Sequence, residues 1–201
     1  MAAARRITAK TRIFQLKIQL AGIRPPVWRR VLVPDEIDLG ELHEVIQTAF
    51  GWTNSHLHQF EIGTARYGTP DPDWEMDDVA DESQVKLARL VSEGDRMNYV
   101  YDFGDNWVHH VLVEKVLQAE PATRYPTCTA GRRAGPPEDV GGPWGYGDFL
   151  QALDDPKHDE HKRFSDWIGE GTFDPDAFDL ASSDAALAAL AWRAGPLRSV
   201  P

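Results

Sequence analysis

An alternation of apolar and polar residues marks the first strand of the predicted sheet. In the segment 13–20 (IFQLKIQL), apolar side chains alternate with Gln and Lys, as is typical of a strand with one buried face. Residues 22–26 predict a turn, and 27–33 (VWRRVLV) predicts a second strand. The two strands are therefore expected to form an antiparallel hairpin.

Helical periodicity follows the hairpin. One apolar stripe is formed by residues at helical spacing, namely Leu39, Leu42, Ile46, Ala49 and Phe50. Asp38 and Glu41 have the spacing of a capping box. Gly51 is well placed to end the helix in the left-handed conformation.

The remaining pattern predicts more strands and then helices. Three further strands are expected, at 56–62, 96–103 and 107–117, the last two joined by a turn with the sequence DFGDN. The segment 85–91 is ambiguous, and two segments are expected to be irregular, 67–81 and 120–142. Helices are predicted at 149–155, 155–168 and 184–192.

This order of elements predicts a single α+β domain. We expect a mixed, mostly antiparallel sheet crossed by one helix, as in a β-grasp or α/β roll, with the C-terminal helices covering an edge or the other face. A chain of 201 residues suits one domain. Residues 12–194 are assigned to that domain, 1–11 to a flexible leader and 195–201 to a flexible tail.

Charge and cysteine content restrict the class of partner. The net charge is −11, from 21 basic and 32 acidic residues, which disfavours a broad phosphate-binding surface. A protein or small-molecule partner is therefore favoured over nucleic acid. The lone Cys128 cannot form an internal disulfide, and no apolar run is long enough to span a bilayer, so we expect a cytoplasmic protein without a membrane partner.

The first candidate site combines histidines with carboxylates. His56 and His58 share one face of a predicted strand, and His109 lies on a later one. These imidazoles could bind a divalent metal if the two strands were neighbours, with water or ligands oriented by Asp102, Asp105 or Glu114. The alternative is that the histidines are structural and that no cofactor is required.

Two further segments could form a ligand or partner surface. In the loop 132–144, Glu138 and Asp139 would form an acidic lip over a pocket, or a structural plug rich in turn residues. Aromatic side chains such as Trp107 and Trp144 would line a groove. A nucleic-acid surface would require one continuous basic patch, made of Arg24, Arg29, Arg30, Arg132 and Arg133.

Several stretches of the chain resemble the plasmid pRiA4b ORF-3-like family. They are GIRPPVWRRVLVP, LHEVIQTAFGWTNSHLHQFEIG, YDFGDNWVHHVLVEK, YPTCTAGRRAGPPEDVGGPWGYGDFLQAL and FDPDAFDL. The resemblance extends from about residue 14 to residue 180. The resemblance implies a single α+β domain and an association with plasmid or mobile-element genes, but no established reaction. Its members often carry further cysteines where this chain has Gly135 and Val140, so a cysteine-rich zinc site is not expected.

No complete catalytic constellation is found in the sequence. We therefore expect a non-enzymatic binding or interaction module. The alternatives are a metal-dependent hydrolase that uses the histidine–carboxylate set, and a weak nucleic-acid-binding protein.

Overall fold

The computed structural model describes residues 7–70, 78–120, 123–169 and 171–190. The remaining residues, which include parts of the predicted leader and all of the predicted tail, lie outside this description. Within the described ranges the strands are β1 (Arg12–Leu20), β2 (Trp28–Pro34), β3 (His58–Ile62), β4 (Ala65–Gly68), β5 (Val79–Asp81), β6 (Arg96–Tyr101), β7 (Trp107–Gln118) and β8 (Thr127–Arg132). The α-helices are α1 (Leu39–Phe50), α2 (Gly142–Asp154), α3 (His161–Ile168) and α4 (Leu180–Ala189).

The eight strands form one mixed sheet in the order β5-β4-β3-β6-β7-β1-β2-β8. All neighbouring strands are antiparallel except β4 and β5. β1 and β2 form the predicted hairpin, with Gln15 opposite Leu32. The predicted α+β class is therefore confirmed.

The apolar alternation of β1 becomes one wall of the core. Leu16, Ile18 and Leu20 are at most 1% exposed and belong to the same apolar cluster as the buried stripe of α1. Burial of this kind contributes about 25 cal/mol for each Å² of apolar surface removed from water. α4 contacts β8 and α1, and thereby extends the cover of the sheet toward its β8 edge.

The local signals at the ends of α1 act as the sequence predicts. The Asp38 side chain accepts a hydrogen bond from the Glu41 N–H, and the Glu41 side chain accepts one from the Asp38 N–H. Gly51 ends the helix with φ 80°, a conformation that glycine adopts without steric cost. The Asp38–Glu41 capping box fixes where α1 begins, and therefore where its polar residues lie.

The corrections to the prediction fall on short strands and helix ends. The segment 120–142 contains β8, and 67–81 contains β5 and the end of β4, while 71–77 lies outside the described residues. α2 begins seven residues earlier than predicted, at Gly142 rather than 149, and α3 later, at His161. α4 begins at Leu180 because Asp179 caps it, accepting hydrogen bonds from two N–H groups of its first turn.

Among the described residues, no helix has both the length and the apolar character needed to cross a membrane.

Candidate functional site

The structure separates the three histidines proposed as metal ligands. β6 lies between β3 and β7, so the strands that carry His58 and His109 are not neighbours. Tyr99 of β6 pairs with His109 on one side and with Phe60 on the other. The metal site expected from His56, His58 and His109 is therefore not formed.

His109 is a core residue. It is 0% exposed, its Nδ1–H donates to the Trp107 carbonyl at 3.1 Å, and its ring packs edge-on against Phe50 and Trp52. Burial lowers the pKa of His109 to about 3, so the imidazole is neutral at physiological pH. The structural reading of this histidine therefore holds.

A cavity of about 370 Å³ lies beside the first half of α1. Its wall includes His43 and Glu44 of α1, the segment 54–58, Thr69, Glu82 and Phe103. Leu57 and Phe103 are 46% and 41% exposed. Among the described residues that line this cavity there is no Lys or Arg, so the fixed charges of this part of the lining come from carboxylates.

Two stacked imidazoles form part of the cavity wall. The rings of His43 and His58 are parallel within 8°, with centroids 3.6 Å apart. His58 Nε2–H donates to the Glu82 carboxylate at 2.9 Å, and both of these side chains are less than a tenth exposed. Thr69 donates to the same carboxylate at 3.3 Å. Glu82 therefore holds His58 in place from the side of the cavity.

A hydrogen-bond chain fixes the other ring. Tyr99 is fully buried, and its hydroxyl lies 2.7 Å from His43 Nδ1 and 2.9 Å from Gln47 Nε2. Burial raises the pKa of Tyr99 well above its ordinary value. Burial, followed by the neighbouring His58, lowers the pKa of His43 to about 3, while the Asn54 side chain acts in the opposite direction. Both groups are therefore neutral at physiological pH.

A second cluster joins His56 to two carboxylates. His56 Nε2 lies 2.9 Å from Asp139 Oδ1 and 3.7 Å from Asp102 Oδ2, and the ligand atoms of all three residues lie within 4.8 Å of one another. The Asp139 oxygen is within hydrogen-bonding distance of this buried nitrogen but not in a hydrogen-bonding direction, and the Asp102 oxygen is too far away for a hydrogen bond. The two candidate segments of the sequence, the DFGDN turn and the 132–144 loop, therefore meet at His56.

Two residues of this cluster have a left-handed backbone conformation, which hydrogen bonds around them hold in place. Asp102 and Asp139 have φ values of 55° and 60°, a region that non-glycine residues rarely adopt. Asp102 Oδ1 accepts hydrogen bonds from the N–H groups of Gly104 and Asp105, while Asp105 Oδ2 accepts one from Gly141. Such strain persists only where the surroundings impose it. Asp105 therefore acts by attaching the loop to the turn.

Glu138 anchors the same loop. Its carboxylate accepts hydrogen bonds from the Thr53 N–H at 2.8 Å, from the Thr53 hydroxyl at 2.6 Å and from the Tyr101 hydroxyl at 2.5 Å. Burial, the largest single influence, raises the pKa of Glu138, but the hydrogen bonds from Thr53 and Tyr101 together hold it below its usual value. The predicted acidic lip thus consists of Glu138 as an anchor and Asp139 as the residue that faces His56.

The arginines do not form a continuous basic patch. Arg29 is 3% exposed and donates to the backbone carbonyls of Ala49, Trp28 and Arg132. Burial lowers the pKa of Arg29 to about 10, so it remains charged at physiological pH. Arg133, 5% exposed, pairs with Asp176 at 2.8 Å. The surface required for the nucleic-acid alternative is therefore missing two of its five arginines.

Three other predicted residues lie away from the cavity. Glu114 bonds Arg30 through both carboxylate oxygens, at 2.5 and 2.9 Å, and belongs to β7 on the opposite side of the sheet from His109. Trp107 is 1% exposed and so does not belong to a surface, whereas Trp144 is 89% exposed. None of the three lines the cavity.

Three residues of the site, His43, Tyr99 and Glu82, were not predicted from the sequence. His43 lies four residues after Leu39 in the apolar stripe of α1, and a histidine inside such a stripe is the signal that could have identified it. Glu82 carries no comparable signal, because its proximity to His58 depends on the position of the segment 79–84 against α1.

One family model and one curated relative match most of the chain. The family model described as plasmid pRiA4b ORF-3-like protein matches residues 12–182. An uncharacterized protein, y4hQ of Sinorhizobium fredii (strain NBRC 101917 / NGR234), is 40% identical over 181 residues, which cover 89% of this chain and 92% of y4hQ.

A solved structure has the same fold. The crystal structure of MM3350, a protein of unknown function from Methanosarcina mazei Go1, superposes with a TM-score of 0.79 at 37% sequence identity. The match covers 85% of this chain and 97% of MM3350. Because the family model matches most of its length, the chain belongs to the plasmid pRiA4b ORF-3-like family.

Proposed function

We propose that this protein is a binding module for a small molecule and that the ligand occupies the cavity beside α1. The observation that carries the proposal is His43, which is 3% exposed, lines the cavity and has no hydrogen-bond partner at Nε2 among the residues that the structure describes. A buried polar atom without a partner costs free energy. A ligand that supplies the missing partner would recover it.

The size and lining of the cavity support the same role. A volume of about 370 Å³ lies within the range of ordinary small-molecule sites, which are mostly apolar and hold a few polar groups in fixed positions. Here the stacked pair His43–His58 supplies the fixed polar groups, and Leu57 and Phe103 supply exposed apolar surface. We propose no reaction, because binding alone accounts for these features.

A glycine provides a way to close the cavity without removing any of its polar groups. Gly40 lines the cavity, and a Cβ at this position would meet Glu82 Oε1 at 3.6 Å, an ordinary contact. The larger side chain of Gly40→Leu would therefore extend into the cavity. The matched control is Gly147→Leu, because Gly147 is also helical and a Cβ there meets nothing within 4 Å.

The test is a screen of small polar fragments by ligand-observed NMR. Fragments that bind the wild-type protein and Gly147→Leu, but not Gly40→Leu, are the expected result. Equal binding to all three proteins, or no binding fragment at all, would contradict the proposal.

Binding of a divalent cation is a second candidate function, favoured by the geometry around His56. Two ligand atoms that share a cation at about 2.1 Å are separated by roughly 2.9–3.5 Å, close to the 2.9 and 3.7 Å from His56 Nε2 to Asp139 and Asp102. With these bond lengths, the Asp139 oxygen would lie about 45° away from the direction of the nitrogen lone pair, which agrees with the absence of hydrogen-bond geometry between these two atoms.

This second candidate changes the ligand set of the metal-dependent alternative. It retains His56 and Asp102 and takes Asp139 in place of His58 and His109. Calorimetric titration with Mn²⁺ and Zn²⁺ tests it, with His56→Gln as the variant and His110→Gln, an exposed histidine, as the control. Loss of binding in His56→Gln alone is expected, whereas equal binding by both variants would exclude the site.

The family description carries one further proposal, an association with plasmid or mobile-element genes. A survey of the genes that flank family members would test it. Flanking genes without transposase or plasmid-maintenance functions would argue against it.

A further inference from the structure

The direction of each hydrogen bond around His43 can be derived from backbone chemistry. The Asn54 backbone N–H, which can only donate, lies 3.0 Å from Gln47 Oε1. This fixes the orientation of the Gln47 amide, so Gln47 Nε2–H donates to the Tyr99 oxygen at 2.9 Å. The assignment is firm because a backbone N–H can only donate, so the direction of this hydrogen bond has no alternative.

The Tyr99 proton then has one acceptor. With its oxygen accepting from Gln47, the hydroxyl hydrogen points to the remaining neighbour, His43 Nδ1, at 2.7 Å. A neutral imidazole that accepts at Nδ1 carries its proton at Nε2. His43, which lines the cavity, therefore carries its proton at Nε2, a buried atom without a partner in hydrogen-bonding geometry among the described residues.

An acceptor lies close to this donor. Glu44 Oε1 is 3.9 Å from His43 Nε2, too far for a hydrogen bond, and it also accepts from Asn54 Nδ2 at 3.3 Å. The Glu44 side chain is 50% exposed, so it is the member of this pair that can move to admit a ligand. The cavity thus offers one fixed donor and one adjustable anionic acceptor.

A planar amide matches this pair. In an amide the carbonyl oxygen and the nitrogen are about 2.3 Å apart. The two protein atoms, His43 Nε2 and Glu44 Oε1, are 3.9 Å apart. Two hydrogen bonds of about 2.9 Å bridge this difference if each one diverges by roughly 15° from the direction parallel to the other. One amide group could therefore accept from His43 and donate to Glu44.

The charges around the cavity disfavour ionic ligands. An anion would face the Glu44 and Glu82 carboxylates without any Lys or Arg in the lining. A cation would face the N–H of His43, which is a donor and repels a second donor. Only a neutral ligand with adjacent acceptor and donor satisfies both groups.

We propose that the ligand of this cavity is a small neutral amide, bound through His43 Nε2–H and the Glu44 carboxylate, with its apolar part against Leu57 and Phe103. The assignment rests on the proposed function of the cavity and gives its chemical class. Both a nucleobase with a ring amide, such as uracil, and an open-chain carboxamide belong to this class.

Three probes of the same shape test the class: benzamide is neutral, benzoate is an anion and benzamidine is a cation. Their affinities are measured by NMR titration against the full-length protein. Because an unmatched buried polar group costs about 1–3 kcal/mol, benzamide is expected to bind about tenfold more tightly than the other two. In Glu44→Gln the preference over benzoate should disappear, because glutamine also donates.

The control variant is Glu61→Gln, because Glu61 contacts Gln59 and Asn98 and does not line the cavity. It should keep the benzamide preference. If benzoate or benzamidine binds more tightly than benzamide, and Gly40→Leu abolishes that binding, the amide class is wrong while the cavity remains the site. Absence of binding by all three probes would overturn both proposals.

Uracil and N-acetylglycinamide distinguish the two sources of the amide. Competition with benzamide by uracil alone supports a nucleobase, and competition by N-acetylglycinamide alone supports an open-chain carboxamide. Failure of both compounds to compete would overturn the assignment.

Discussion

Replacing Tyr99 by phenylalanine tests the hydrogen-bond chain on which the donor at His43 depends. The Tyr99 hydroxyl accepts from Gln47 and donates to His43 Nδ1, and all three side chains are at most 3% exposed. The Tyr99→Phe substitution keeps the ring and removes only the oxygen. It leaves one donor and one acceptor unpaired in the core.

The expected magnitude follows from these two unpaired groups. Each buried polar group that loses its partner costs about 1–3 kcal/mol, and partial relaxation should leave a total of about 2–4 kcal/mol. For a chain of this length the melting temperature should fall by roughly 5–15 °C. The loss is expected in the free energy of unfolding without a change in the urea m-value.

A second buried tyrosine supplies the matched control. Tyr146 is 1% exposed, and its hydroxyl has no hydrogen-bond partner among the described residues. Its substitution by phenylalanine removes an unsatisfied group, so the stability of Tyr146→Phe should stay within about 1 kcal/mol of wild type or increase. Urea unfolding of the two variants gives the comparison. Equal destabilisation by both, or a loss below about 0.5 kcal/mol for Tyr99→Phe, would refute the reasoning.

Three further predictions concern pH, a surface ion pair and a glycine contact. His43 and His109 have pKa values lowered to about 3, first by burial, whereas histidine in the unfolded chain binds a proton below about pH 6.5. The free energy of unfolding should therefore fall between pH 6 and 5 by about 1.4 kcal/mol for each histidine. His109→Phe should halve that slope in urea unfolding, and an unchanged slope would contradict the assignment. Glu114→Gln should lower the free energy of unfolding by at most about 1 kcal/mol. Fragment binding measured by NMR should not change, because Glu114 lies outside the cavity. A loss of binding would show that the site is misplaced. A Cβ at Gly131 would lie 2.4 Å from the Phe178 ring, so Gly131→Ala should displace that ring and lower stability by about 1–3 kcal/mol, and an unchanged melting temperature in calorimetry would contradict this contact.

The helix α1 illustrates what the sequence alone could predict. Its apolar stripe, the Asp38–Glu41 capping box and the Gly51 terminator are all local signals, and each appears in the structure as expected. The hairpin β1–β2 was predictable for the same reason. In both cases the interactions that fix the element join residues close in sequence.

β8 illustrates where local signals fail. Its residues, TCTAGR, are mostly small, and the strand forms by pairing with β2, a partner distant in sequence. The candidate site follows the same rule. His58 and His109 seemed suited to one metal, but β6 separates their strands. Asp139 reaches His56 on a loop that hydrogen bonds to Asp105 and from Thr53 to Glu138 attach to the rest of the fold. Tertiary pairing decided each of these outcomes.

The most direct measurement of the central claim is the proton on His43 while benzamide is added. ¹⁵N-histidine NMR distinguishes an Nε2–H from an Nδ1–H imidazole and reports whether that proton acquires a hydrogen bond. We predict that His43 is the Nε2–H tautomer and that its signal shifts saturably with benzamide in the wild-type protein, but not in Gly40→Leu. A proton on Nδ1, or benzamide binding that leaves the His43 signal unmoved, would contradict the account.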